Sequence, residues 1–83
     1  MSYSKRVFEE GIVLEQQKEI LLKRIRSSMV NPFKGSEWEY IKSVRNLIAL
    51  MEVETNLAIL EPMSKAIGVM VNIGVKTWGW EVV

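Results

Sequence analysis

The chain has 83 residues, with 11 basic and 10 acidic side chains, a net charge of +1, and no Cys, His or Asp. That balance gives no overall pull toward nucleic acid or an anionic membrane, and the missing residue types exclude disulfides, Cys/His zinc sites, Ser-His-Asp triads, Cys-His pairs and Glu-x-x-His di-iron sites. A chain this short buries only about 60–65% of its unfolded surface and needs support beyond its own core, so we expect a homo-oligomer, a dimer first.

Ser4–Val30 reads as the first helix. At about 100° per residue, Val7, Gly11, Leu14, Leu21, Leu22, Ile25 and Met29 fall in one stripe, and Glu9, Gln16, Lys23 and Arg24 fall well away from it. Lys18 lies within the stripe. It either snorkels its head to water or acts as a polar seam residue that fixes register. Ile12, Val13 and Ile20 lie off the stripe and would stay wet in an isolated hairpin.

The turn is Asn31-Pro32-Phe33-Lys34-Gly35. Asn suits a helix C-terminus and Pro cannot continue one. Ser36-Glu37-Trp38-Glu39 then reads as a capping box, with the Ser36 hydroxyl on the Glu39 amide and the Glu39 carboxylate reaching back. The second helix is expected over 36–60. Ile41, Val44, Ile48, Met51, Thr55 and Ala58 recur at spacings of three and four, and Tyr40, Leu47, Leu50 and Leu57 widen that arc beyond what one neighbour covers. Lys42, Arg45, Asn46, Ala49, Glu52 and Asn56 form the opposite face. Ser4–Val30 holds six basic and four acidic residues, +2, and Ser36–Glu61 two basic and five acidic, −3. Antiparallel folding would bring Arg24 and Arg26 toward Glu39, and Arg6 toward Glu61, each exposed pair contributing a few tenths of a kcal/mol.

Residues 62–83 support two readings. Pro62 suits the first position of a third helix, with Met63, Ala66, Ile67 and Met70 as its apolar residues. Ile67, Val69, Val71, Ile73 and Val75 also alternate with Gly68, Met70, Asn72 and Gly74, which favours a strand or a β-hairpin turning at 72–74. The fold class is therefore mainly α, with residues 1–83 as one small domain: an antiparallel helical hairpin plus a short third element, helix before strand, assembling into a helical bundle.

No dinucleotide-binding or phosphate-binding glycine motif occurs. General acid–base work would fall to Glu, Lys or Tyr, and Glu54, beside the apolar arc, reads as a solvated or paired carboxylate. The chain is expected to be no enzyme and to take no cofactor or metal. The leading function is a self-associating interaction module, two copies meeting through Leu14, Leu21, Ile25, Ile41, Val44, Ile48, Met51, Leu50 and Leu57 in a four-helix arrangement.

An alternative is a nucleic-acid contact through Lys23, Arg24, Arg26 and Lys34, whose plainer reading is cations at a helix C-terminus. Trp78 and Trp80 are either core over the open end of the hairpin or an aromatic contact for a protein partner or membrane surface. The run Ala66–Val75 is too short to cross a bilayer, which takes about 20 apolar residues, so no transmembrane span is expected. The first ten residues carry no long apolar region, and an intracellular, cytoplasmic site is expected.

Two resemblances are partial. Residues 63–69 resemble the middle of a helix-turn-helix DNA reader, but Met70, Val71 and Gly74 depart from its pattern. The layout, a short helical hairpin with Asn31-Pro32 in its turn, is similar to that of small secretion-needle subunits that polymerise through both helices. The turn lacks that family's second proline and the tail ends differently, so the likeness is one of layout.

Overall fold

The computed structural model describes residues 2–82, with side chains from Leu14 onward. Among the described residues the fold has three helices: α1 (Ser2–Ser27), α2 (Glu37–Val53) and α3 (Leu57–Trp78). α1 and α2 form the expected antiparallel pair, tied by Lys18 to Glu52 at one end and Arg24 to Glu37 at the other. α3 packs along both of them. The side chains of Val7, Gly11, Ile12 and Val13, and the expected Arg6 to Glu61 pairing, lie outside the described side chains.

The tail is helical, and the strand alternative is overturned. A strand over 67–75 would need a second strand, whereas a helix satisfies its own backbone and turns Ile67, Val71 and Gly74 to one side. Those three and Ser64 are buried. Residues 63–69 lie within this one unbroken helix, so the helix-turn-helix likeness fails at its turn.

The boundary between α2 and α3 differs from the expectation. α2 stops at Val53, not Leu60, and Pro62 lies inside α3 and does not open it. The cause is local. Glu54 turns extended and its carboxylate accepts from the amides of Thr55 and Asn56, both at 3.0 Å. Asn56 then caps α3, its side-chain oxygen accepting from the Ala58 amide at 2.9 Å. Pro62 withholds a donor from the carbonyl of Ala58, a residue exposed to solvent.

The Ser36 capping box is not formed. The Ser36 side chain makes no cap bond, and its carbonyl accepts from Tyr40. Glu37 turns inward and takes the Lys34 amide on its carboxylate at 3.1 Å. Asn56→Ala should therefore cost about 1 kcal/mol and Ser36→Ala a few tenths at most, read from urea midpoints. Equal losses in the two variants would contradict these caps.

The core is Ile20, Leu21, Ile41, Val44, Ile48, Ile67, Val71 and Trp80. α2 buries the expected face. Among its described side chains α1 is rotated: Gln17, Ile20, Leu21 and Arg24 are buried, while Leu22 of the expected stripe is exposed, as is Met29 beyond the end of the helix. Ile20, expected wet, is in the core. The rotation follows from Arg24. A charged side chain enters the interior only with a partner, and Glu37 supplies one.

Candidate interaction surface and the buried clamp

The closed end of the hairpin holds a buried ion pair. The carboxylate of Glu37, fully buried, accepts from Arg24 twice, Nε at 2.5 Å and Nη2 at 3.0 Å. It also accepts from Trp80 Nε1 at 2.7 Å and from the Lys34 amide at 3.1 Å. Arg24 spends its remaining donors on the turn, reaching Asn31 O at 2.7 Å and Pro32 O at 3.2 Å, and on the end of its own helix, reaching Ser27 Oγ at 3.2 Å. All five guanidinium N–H groups and both carboxylate oxygens are thus engaged, the condition under which a buried pair is tolerated. One constellation joins the end of α1, the turn, the start of α2 and the C-terminal segment.

Trp80 reaches this pair because of two glycines. Gly79 takes a left-handed conformation, φ 71°, ends α3 with its amide on Val75 O, and turns the chain back over the bundle. Gly74 leaves room for the ring: a Cβ there would stand 2.3 Å from Trp80 Cζ3. Trp78 stacks on Trp80 at 5.9 Å, and Tyr40 meets Trp78 at 5.3 Å. The Tyr40 hydroxyl donates to Met70 O at 2.9 Å, and burial pushes its phenol upward in pKa. Phe33 stacks on Trp38 at 5.1 Å, under the Arg24 guanidinium. Because α3 runs back toward the turn, the tryptophans cover the closed end and not the open one. Trp80 is core, 2% exposed, and Trp78 is half-buried.

Burial alone would raise the Glu37 carboxyl, but the bonds from Arg24, Trp80 and the Lys34 amide outweigh it and hold it below its ordinary value. The unfolded chain then binds that proton more readily than the folded one. The pair's stabilisation is complete above the unfolded value, about pH 4.3, and is lost as pH falls through the lowered folded value. Urea midpoints should fall on acidification below about pH 4, and Glu37→Gln should flatten that fall. An acid dependence identical in the two proteins would contradict this assignment.

The basic cluster does not present a joint surface. Arg24 is buried, and Lys23 pairs with Glu81 at 3.0 Å. Arg26 and Lys34 are exposed and make no ion pair among the described residues. Lys18 neither simply snorkels nor stays unpaired. Its head bonds Glu52 at 3.2 Å and lies 3.6 Å from Glu15, and those contacts raise its pKa. Glu39, expected near Arg24 and Arg26, pairs instead with Lys42 at 3.0 Å.

Of the residues expected between copies, Leu21, Ile41, Val44 and Ile48 are buried within one chain, and Leu14, Ile25 and Met51 are partly buried against that core. Leu50 (60%) and Leu57 (57%) remain exposed. The structure adds Val53, Ile59, Val69 and Ile73, exposed by 77, 43, 59 and 45%. Sequence reasoning misses Ile59, Val69 and Ile73 as a set because it starts the third helix at Pro62 and keeps an alternating strand as the second reading. Once α3 starts at Leu57, Ile59, Pro62, Ala66, Val69 and Ile73 recur at spacings of three and four along its outer side. A separate groove of about 250 Å³ runs between α1 and α2, with Leu21, Ile25 and Ile48 below and Leu22, Lys18, Arg45 and Glu52 around it.

α3 is also longer than the apolar run first considered. Its 22 residues, with a window of mean hydropathy 1.3 that is 22% buried, make it long and apolar enough to cross a membrane by length and composition. Mostly buried core helices of soluble proteins meet the same criterion, whereas most of this window is not buried.

The chain is a small three-helix protein without a catalytic motif, and among the described residues no cluster of acidic or metal-ligating side chains could hold a metal ion. Compared with family models, known proteins and solved structures, it matches none.

Proposed function

We propose that this protein is a non-enzymatic, intracellular module that works by self-association. The observation that carries the reading is its exposed apolar side chains. Leu50, Val53, Leu57, Ile59, Val69 and Ile73 lie on α2 and α3, each more than two-fifths exposed. A soluble monomer rarely leaves a large contiguous apolar patch in water, and a chain without disulfide or metal gains most from a partner. The core residues first expected between copies are used within the chain, so association falls to this outer surface. Light scattering coupled to size exclusion at micromolar concentration tests the reading. A molar mass of two chains or more supports it, and a monomer mass across the concentration range rejects it.

The nucleic-acid alternative loses its geometry, because two of its four cations are paired with carboxylates. Retention on a nucleic-acid probe that weakens steeply with salt would revive it.

A further inference from the structure

We infer that the outer face of α2 and α3 is a two-fold interface, in which α2 of one copy lies on α3 of the other and Glu39 meets Lys76 of the second copy. This rests on the self-association proposed above and specifies its surface and symmetry. The first ground is shape. Tyr40 donates to the backbone of Met70 and its ring meets Trp78, so the side of α2 carrying Tyr40 and Leu47 faces α3. α1 lies against the Ser64 and Gly68 side of α3, since Gln17 Nε2 is 2.9 Å from where a Gly68 Cβ would stand. The remaining outer face carries Leu50 from α2 and the line of Ile59, Ala66, Val69 and Ile73 from α3. It is two helices wide.

The second ground is area. The face is about 25 Å long and 20 Å wide, a footprint of about 500 Å² per copy. Two such footprints reach about 1,000 Å², the lower bound for a specific interface.

The third ground is charge, and it selects the symmetry. The α3 edge of this face carries Lys65 and Lys76, which make no ion pair among the described residues. The α2 side carries Glu39, its side chain 73% exposed and held only by Lys42. The ring contact of Tyr40 with Trp78 puts Glu39 and Lys76 at nearly the same height along the bundle. A two-fold axis parallel to the helices keeps heights and exchanges sides. It lays α2 antiparallel on the second copy's α3 and sets Glu39 opposite that copy's Lys76, twice. A two-fold across the helices would lay the lysine edge on itself.

Sedimentation equilibrium of the full chain tests this, with circular dichroism as a check of folding. Val69→Glu should weaken dimerisation about a hundredfold by burying an unpaired charge. Leu22→Glu, in the α1–α2 groove, should leave it unchanged. Glu39→Lys and Lys76→Glu should each weaken it about tenfold, and the double exchange should restore it, because the two residues pair only between copies. A dimer indifferent to Val69→Glu but lost with Leu22→Glu overturns this interface and leaves self-association standing. A double exchange no better than either single overturns the symmetry. A wild-type chain that stays monomeric and floats with vesicles of phosphatidylcholine and phosphatidylglycerol overturns both proposals and assigns the face to lipid.

Discussion

Replacing Glu37 with alanine should lower the melting midpoint by roughly 15–30 °C. The substitution leaves the Arg24 guanidinium, 7% exposed, without its counter-charge. Removing one partner of a buried pair costs about 3–5 kcal/mol, because the other charge stays desolvated. The Trp80 indole and the Lys34 amide lose their acceptor in the same step. A small domain has about 5–15 kcal/mol of total stability, so one side chain removes a large fraction of it. Replacing both members of the pair, Arg24→Met with Glu37→Leu, should recover part of the loss, since a buried pair adds little over well-packed apolar residues. Thermal unfolding followed at 222 nm checks both. A loss of under about 1 kcal/mol for Glu37→Ala would mean that the pair is exposed in solution.

The second large effect is a change of sign. Gly74→Ala alone should destabilise by about 1–3 kcal/mol, the usual range for overpacking, because the new methyl would overlap the Trp80 ring. Trp80→Ala alone should cost about 3–5 kcal/mol. In the Trp80→Ala background, however, Gly74→Ala meets no ring and should stabilise by up to about 1 kcal/mol, the gain of alanine over glycine inside a helix. Urea unfolding of the four proteins gives the cycle directly. Additive effects would show that ring and glycine are not in contact.

These two sites also show where the sequence was legible. The apolar face of α2 was readable because Ile41, Val44, Ile48 and Met51 follow the helical period and pack as that period requires. The antiparallel pairing of α1 and α2 is readable from charge sorting, although Arg24 pairs with Glu37 and Glu39 with Lys42 in place of the expected contact between Arg24, Arg26 and Glu39. Arg24 was placed on the wet face because a periodicity argument treats every arginine as polar. Its burial depends on a carboxylate 13 positions away, and no local pattern carries that information. Glu37 carries no signal of its own in the sequence, because Ser36 and Glu39 match a capping box, which competes with the inward turn that Glu37 makes. Thr55-Asn56 was the available signal for the α2–α3 boundary. Thr55 and Ala58 mask it by continuing the spacing of the preceding helix. The alternation of 67–75 suggested a strand, yet the same residues form one buried and one exposed stripe on a helix. Asn56 as the cap decides between the two by starting α3 early enough to fill 22 residues.

For function, the decisive consequence lies in the C-terminal segment. Trp80 belongs to the core, so its indole is held inside the fold. The most direct measurement of that claim is amide and indole hydrogen exchange by NMR, applied to the indole protons of the three tryptophans. The signal that disappears in Trp80→Phe should exchange only through global unfolding, because its proton is buried on Glu37. The Trp38 and Trp78 indoles should exchange faster. A Trp80 indole that exchanges as fast as the other two would show that the tail is free, and would contradict the account.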